Sequence, residues 1–247
     1  MNHLQNKTII ITGASSGIGA AAAKALAAHG ANLVLAARDQ DRLDVLVGEI
    51  RASGGTAAAR IADVTDSADM EALAHYAVET FGGVDILVNN AGLMLFSAWK
   101  DLAVNDWGRM IDTNIRGYLN GIQAVLPIML ERQSGYILNM ASVAGHQIGE
   151  SAGVYSATKF FVRAITESMR KELGVQHGIQ ASTISPGVID TGWADKVGDP
   201  AGRAAAKELN ALAITPEAVA DAVVYVLNQP ANTTVNDLVI SPTGQNW

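Results

Sequence analysis

The sequence predicts an α/β fold, a largely parallel β-sheet covered by helices. Two observations carry this expectation. Short apolar, β-branched runs of the kind found in strands buried on both faces alternate with helical patterns from end to end. Where the first such run ends, a glycine-rich turn leads directly into an alanine-rich helix, a strand–turn–helix unit typical of wound sheets. No Pro/Gly/Ser-rich linker, repeat or low-complexity tract divides the 247 residues, so a single domain over 1–247 is expected.

Strands are expected near 8–12, 32–37, 57–62, 84–89, 136–141, 180–185 and 237–241. The first, Thr8-Ile9-Ile10-Ile11-Thr12, runs into Gly13-Ala14-Ser15-Ser16-Gly17-Ile18-Gly19, and a helical pattern then extends from Ala20 to His29. A helix N-terminus behind a glycine turn aims free backbone N–H groups at an anion, above all a phosphate. Gly13 suits the tight turn, Gly17 the approach of the anion and Gly19 the packing of helix on sheet. Alone, this spacing also describes an ordinary glycine-rich turn. The second strand hands over to Arg38 and Asp39, the third to Ala62-Asp63-Val64, and the fourth to Asn89-Asn90-Ala91-Gly92. The fifth ends at Ser142, and the sixth closes on Ile184-Ser185-Pro186-Gly187-Val188-Ile189-Asp190-Thr191.

Between the fifth and sixth strands, Tyr155 and Lys159 stand four apart in a segment from Gly153 that reads as a helix start. Residues at i and i+4 share a helix face, so the ammonium can lie beside the phenol. A nearby positive charge favours the phenolate and lowers a pKa that is otherwise about 10, making the tyrosine useful as an acid or base. Taken alone, Asn114 is a mildly unfavourable helix residue and Ser142 a strand-end hydroxyl.

Together these segments resemble the short-chain dehydrogenase/reductase (SDR) family, from Lys7 to about Gln245. The resemblance rests on T-G-x-x-x-G-x-G at Thr12–Gly19, N-N-A-G at Asn89–Gly92 and P-G-x-x-x-T at Pro186–Thr191, with Asn114, Ser142, Tyr155 and Lys159 in order. It implies a Rossmann-like, doubly wound sheet of seven parallel strands in the order 3-2-1-4-5-6-7. The implied chemistry is hydride transfer between a nicotinamide and a carbonyl or alcohol carbon. Tyr155 would donate the proton, Ser142 would hold the carbonyl oxygen, and Lys159 would lower the Tyr155 pKa and grip the nicotinamide ribose. Asn114 would hold a water linking Lys159 to solvent.

The resemblance also assigns cofactor contacts. Gly13, Ser15, Ser16, Gly17, Ile18 and Gly19 would surround the phosphates, and Asn90, Ala91 and Gly92 would border the adenosine ribose. Asp63, with Val64 beside it, takes the position that meets the adenine, although capping a helix near Thr65 serves Asp63 almost as well. Pro186, Gly187, Ile189 and Thr191 would shape and hold the carboxamide site. Where an acidic residue would bind the ribose 2′-OH of NAD stands Ala37, followed at once by Arg38. A guanidinium pairs bidentately with a 2′-phosphate, so NADP(H) is expected. An arginine merely exposed to solvent is the alternative, and Asp39 could partly neutralise it unless it turns into the following helix.

The formal net charge of −7 provides no broad basic surface for nucleic acid or anionic membrane. No apolar stretch reaches the roughly 18 residues of a membrane span, and the first residues lack a secretory apolar core. The five histidines show no metal-ligand spacing, there is no cysteine, and a cytoplasmic enzyme is expected.

Residues 188–214, with Trp193, look like a lid over a small-molecule substrate, and Met94, Val143, His146, Gln147, Gly149 and Trp193 would wall the pocket. His146 would serve a polar substrate or simply lie at the surface. No arginine clamp is evident, yet Lys196 and Arg203 lie in the lid, so an acid substrate stays open. The ending Val235 to Gln245 departs from the Asp-Gly-Gly ending common in acyl-carrier-protein reductases of the family. A reductase of small ketones or aldehydes is therefore expected, with 3-hydroxy acid oxidation or 3-oxoacyl thioester reduction as alternatives and a non-catalytic NADP sensor as a distant one. The stretches 104–131 and 153–173 match those that pair in family tetramers, so a homotetramer or homodimer is expected. Trp107, Met110, Ile111, Phe160, Phe161 and Ile165 would contribute to that face or to the core.

Overall fold

The computed structural model describes residues 1–193 and 200–246. Its strands are β1 (Thr8–Thr12), β2 (Asn32–Ala37), β3 (Thr56–Ile61), β4 (Ile86–Asn89), β5 (Gly135–Met140), β6 (Ile179–Pro186) and β7 (Asp237–Ile240). They form one sheet in the order β3-β2-β1-β4-β5-β6-β7, with every neighbouring pair parallel. The seven strands and their order are those expected. The fourth begins two residues late, at Ile86, where Asp85 turns its carboxylate onto the Thr8 N–H at 2.8 Å and onto Arg132 at 3.1 Å.

The strands are apolar on both faces because each face carries its own core. Successive side chains point to opposite sides. Ile9, Ile11, Leu33, Leu35, Ile86 and Val88 therefore enter one core, while Ile10, Val34, Ala36 and Leu87 enter the other. The first core is closed by α1 (Gly17–Ala28), α2 (Gln40–Ala52) and α7 (Pro216–Leu227). The second is closed by α3 (Ser67–Phe81), α5 (Gly117–Arg132) and α6 (Gly153–His177). Burying each large side chain contributes roughly 1.5–3 kcal/mol.

The helix ends follow their local chemistry. Asp39 accepts from the Arg42 N–H at 3.1 Å at the start of α2, and Asp66 accepts from Ala68 at 2.8 Å at the start of α3. Asp66, not Asp63, is thus the cap of the helix after the third strand. Gly178, at φ 64°, closes α6 in the left-handed region. The helix α4 (Val104–Ile111) joins α5 through a π-helical turn, Asp112–Arg116, and Asn114 lies buried inside that turn. Such a turn inserts one residue and re-aims the side chains around it, and it occurs often at functional sites.

Of the residues expected on a subunit face, Ile111 and Phe160 are exposed, and Phe161 and Ile165 are half-buried. Met110 is not on a surface: it is 1 % exposed, packed inside the protomer. Trp107 also turns inward, its indole N–H bonded to Ser97 at 3.1 Å and its ring against Trp99.

Candidate active site

The site lies at the carboxyl ends of the strands, where the order reverses between β1 and β4. That crevice is where open α/β sheets bind ligands. Gly13 at φ 65° and Gly17 at φ 55° require the left-handed conformation. Space demands glycine as well: a Cβ on Gly13 would lie 2.8 Å from the Ala91 Cα, and one on Gly17 would lie 2.9 Å from Thr191 Cγ2. A Cβ on Gly19 would strike the Gly13 carbonyl. The turn opens into α1, whose first turn holds no acidic residue and whose N-cap, Ser16, makes no capping bond with its side chain. The N-terminal dipole is left free for an anion.

Asn90 supports this loop from beside it. Its amide donates to the Thr12 and Gly13 carbonyls at 3.0 and 3.2 Å, and Thr12 Oγ1 accepts from the N–H groups of Asn90 and Ala91 at 3.1 Å. The Asn90 side chain thus braces the glycine loop. Ser15 is half-buried in the loop, and Ile18, half-buried in the first turn of α1, packs onto the first core.

Arg38 extends from the end of β2 with its side chain 81 % exposed, 3.8 Å from the Asp63 carboxylate. Asp39 does not neutralise it, since that carboxylate turns back to cap α2 and meets Arg42 at 3.3 Å. Partial burial works against ionisation of Asp63, but bonds from the Thr65 N–H and hydroxyl, with Arg38 nearby, hold its pKa below the usual value. Val64 faces inward: it is buried against Gly117, and its carbonyl accepts from Asn120 at 2.8 Å.

The four residues singled out in order converge. Tyr155 and Lys159 share one face of the first turns of α6, with Lys159 Nζ 5.9 Å from the centre of the Tyr155 ring. Ser142, at the end of β5, accepts from the Ala144 N–H at 3.1 Å and is the polar neighbour of the phenol. Asn114 clasps the backbone of Leu93 in both directions, each bond 2.8 Å, and donates to Thr158 Oγ1 at 3.1 Å. A Cβ on Gly92 would come within 3.8 Å of both Asn114 Oδ1 and Lys159 Nζ, so the N-N-A-G loop passes directly over the pair.

One expectation is corrected here. The Tyr155 pKa is raised, not lowered, from its usual value. Burial raises it, with Ser142 pulling the other way. The reason is geometric: Nζ is held at 2.7 Å by the Met140 carbonyl and 3.4 Å from the Tyr118 hydroxyl, not against the Tyr155 oxygen. Lys159, 4 % exposed, is itself brought down to about 7 by burial. A phenol held protonated beside a readily neutralised amine is an acid, not a base, at neutral pH.

Beyond the tetrad, Trp193 is buried with Val188, Ala206 and Met94. Phe96 stands edge-on to both Tyr155 and Trp193, with centroids 6.4 and 5.6 Å away, and joins them into an aromatic wall. Sequence reasoning missed Phe96, although an aromatic two residues past Met94 was the signal for it. Val143 is half-buried, while Gln147 and Gly149 are exposed. His146 is engaged within the protein: Nε2 lies 3.0 Å from Ser185 Oγ and 3.9 Å from the Asp237 carboxylate. Burial first, then Arg163, lowers its pKa against Asp237, so the ring is neutral. Lys196 lies outside the described residues, and Arg203, within them, is exposed.

The exit of β6 is pinned from the far end of the chain. The Gln245 side chain accepts from the Val188 N–H at 2.9 Å, and the Ile240 carbonyl accepts from Gly187 at 2.7 Å. A side chain on Gly187 would strike Gln245. Replacing Gln245 with Ala is expected to cost about 1 kcal/mol, lowering Tm by about 2–4 °C. An unchanged melting curve would show that this bond contributes nothing.

The model of the short chain dehydrogenase family matches residues 7–201. The chain is a short-chain dehydrogenase/reductase. An uncharacterised oxidoreductase of Staphylococcus saprophyticus is 41% identical to it over 246 residues, covering 99% of both chains. Among solved structures, the closed form of a serine dehydrogenase complexed with NADP+ superimposes with a TM-score of 0.89 at 33% identity, covering 97% of this SDR and 96% of the other chain. An SDR from Burkholderia phymatum in complex with NAD gives 0.87 at 31% identity, covering 97% and 90%. The SDR chain is an oxidoreductase, and no helix among its described residues is long and apolar enough to cross a membrane.

Proposed function

We propose that this oxidoreductase is an NADPH-dependent reductase of small ketones or aldehydes, able in reverse to oxidise a secondary alcohol or hydroxy acid. The observation that carries the reading is the half-buried Tyr155 phenol, flanked by Ser142 and with Lys159 on its own helix face, at an apolar wall of Phe96 and Trp193. The glycine cradle and the uncapped start of α1 fit a dinucleotide diphosphate, and exposed Arg38 fits a 2′-phosphate. When bound, NADPH supplies the hydride. The chain's own residues manage the charge: Tyr155 donates its proton to the carbonyl oxygen as negative charge develops there. Ser142 donates a hydrogen bond to the same oxygen, so stabilisation grows toward the transition state. Lys159 stands behind Tyr155, holds the ribose hydroxyls and passes a proton back from solvent, along a path that buried Asn114 keeps open by fixing Leu93. Ile189 and Thr191 orient the carboxamide.

Residues 188–214, of which 194–199 lie outside the described residues, act as the lid of a single 1–247 domain. Exposed Ile111 and Phe160 belong to the subunit face of a homotetramer or homodimer, and the enzyme is cytoplasmic. The serine dehydrogenase likeness favours 3-hydroxy acid oxidation as the second reading.

Consumption of NADPH with aldehydes, ketones, 3-keto acids and a 3-oxoacyl thioester tests the assignment. Turnover of the simple carbonyls supports it, preference for 3-keto acids moves it to the second reading, and no turnover with any of them overturns both. The cofactor assignment has its own test. Arg38→Ala should raise KM for NADPH by about ten- to a hundredfold and leave NADH unchanged, since charge-assisted bonds of about 1.5–3 kcal/mol are lost only with the 2′-phosphate. Equal loss for both nucleotides would reject it.

A further inference from the structure

Tyr118 is a buried tyrosine that the mechanism above does not use. It is 1 % exposed, packed on Ala141 and Val162 beneath the end of β5. It follows Asn114 by four residues, so both leave the same side of the helix beyond the π-helical turn. They meet adjacent residues of α6: Asn114 bonds Thr158 at 3.1 Å, and the Tyr118 hydroxyl lies 3.4 Å from Lys159 Nζ. That hydroxyl donates to the Met140 carbonyl at 2.8 Å, the same carbonyl that accepts from Nζ at 2.7 Å. The phenol ring itself lies 5.3 Å from the ammonium. These three groups form a closed triangle around the buried cation.

We propose that Tyr118 is a positioning residue for Lys159: its hydroxyl accepts from Nζ, holds the amine on the Met140 carbonyl and favours its charged form. This rests on the role of Lys159 in gripping the cofactor ribose. The other groups around Nζ supply no anion, although the Tyr155 ring faces it from 5.9 Å. Tyr155 on α6 is neutral, Asn114 is an amide, and Arg163, one turn further along α6, is engaged by Asp237 at 3.3 Å and the Gly145 carbonyl at 3.0 Å. Asp112, in the turn that carries Asn114, pairs with Arg116 at 3.2 Å. Lys159 has no carboxylate partner among the described ion pairs. Its cation is sustained by neutral oxygen acceptors, of which Tyr118 supplies one. The Tyr118 phenol stays neutral throughout, because burial, and secondarily Tyr155, drives its pKa far up.

The test is NADPH binding, followed by nucleotide fluorescence from pH 6 to 9.5, in wild type, Tyr118→Phe, Lys159→Met and the double variant. Phe keeps the ring and its packing. Binding to wild type should weaken as Lys159 loses its proton. In Tyr118→Phe that break should move about half to one unit toward acid, the scale of one lost bond to a cation. Around the break the variant should bind several-fold more weakly and at pH 6 nearly as well as wild type. In the Lys159→Met background the Phe substitution should add no pH dependence. If Lys159→Met abolishes the break while Tyr118→Phe leaves it in place, the Tyr118 role is overturned and that of Lys159 stands. If Lys159→Met leaves the break unmoved, both fall. A loss of equal size in both backgrounds and at every pH would make Tyr118 a packing residue only and overturn the proposal.

Discussion

Tyr155→Phe should lower kcat for carbonyl reduction by about a thousandfold or more, while NADPH affinity changes by less than about twofold. The substitution removes one oxygen and leaves the ring against Phe96, so the aromatic wall and its burial persist. The lost oxygen carries the transferable proton, and positioned general acids contribute about 10²–10⁴-fold. A loss in the upper part of that range is expected because Ser142 alone cannot supply a proton at this pH. Lys159 keeps its hold on Met140 and Tyr118 in the variant, which is why the nucleotide should still bind. The pH profile of the wild type gives a second check. Burial raises the Tyr155 pKa, so reduction should not fall off near neutrality through loss of the tyrosine proton. The alkaline decline should instead begin with Lys159, brought down to about 7 before cofactor binds. Near-wild-type turnover in the Phe variant would remove Tyr155 from the chemistry altogether.

What the sequence made legible was local or repetitive. Seven strands were readable because most are short runs dominated by apolar residues, and their ends fell within two residues of prediction. The glycine positions were readable because the conformations at Gly13 and Gly17 and the close approach at Gly19 permit little else. The ordered tetrad was readable because the family motif spans whole elements. What escaped were contacts made between segments far apart in sequence. Tyr118 meets Met140 and Lys159 across 22 and 41 residues, contacts that local spacing does not announce. Gln245 reaches Val188 across 57 residues. Met110 could have belonged to a subunit face or to the core, and it is buried, with the Leu95 N–H pointing at its sulfur from 3.4 Å. The Tyr155 pKa went the opposite way from the expectation for the same reason. The i,i+4 spacing put ammonium and phenol on one face, but burial of both, and the backbone carbonyl that holds the ammonium, decided the sign.

Lys159→Met should abolish turnover and yet make the protein more stable, by about 1–4 kcal/mol at pH 7, the range seen when buried charged groups give way to apolar isosteres. For a chain of this size that is a rise in Tm of several degrees, each kcal/mol being worth about 2–4 °C. Lys159 is a cation under a 4 % exposed side chain, and burial brings its pKa from 10.5 to about 7. Between those values the unfolded chain holds a proton that the folded chain does not, so wild-type stability rises with pH across that window. Below about 7 the penalty is present in full, and above the unfolded value it vanishes. The stability gained by Lys159→Met should therefore be largest at or below pH 7 and shrink as pH rises toward 10. Methionine fills nearly the same volume without a charge, and the Met140 carbonyl left behind still accepts from the Tyr118 hydroxyl at 2.8 Å, so no buried acceptor is stranded. Thermal melts of both proteins at equal protomer concentration from pH 6 to 10 decide the matter. A variant that is less stable than wild type at pH 7 would mean that the triangle of Lys159, Met140 and Tyr118 contributes more than the desolvation of the ammonium costs. A Tm difference independent of pH would mean that Lys159 is not titrating in this range. The expected outcome has the opposite logic: the folded state tolerates a destabilising buried ammonium because that group is needed to hold the ribose hydroxyls when the cofactor is bound.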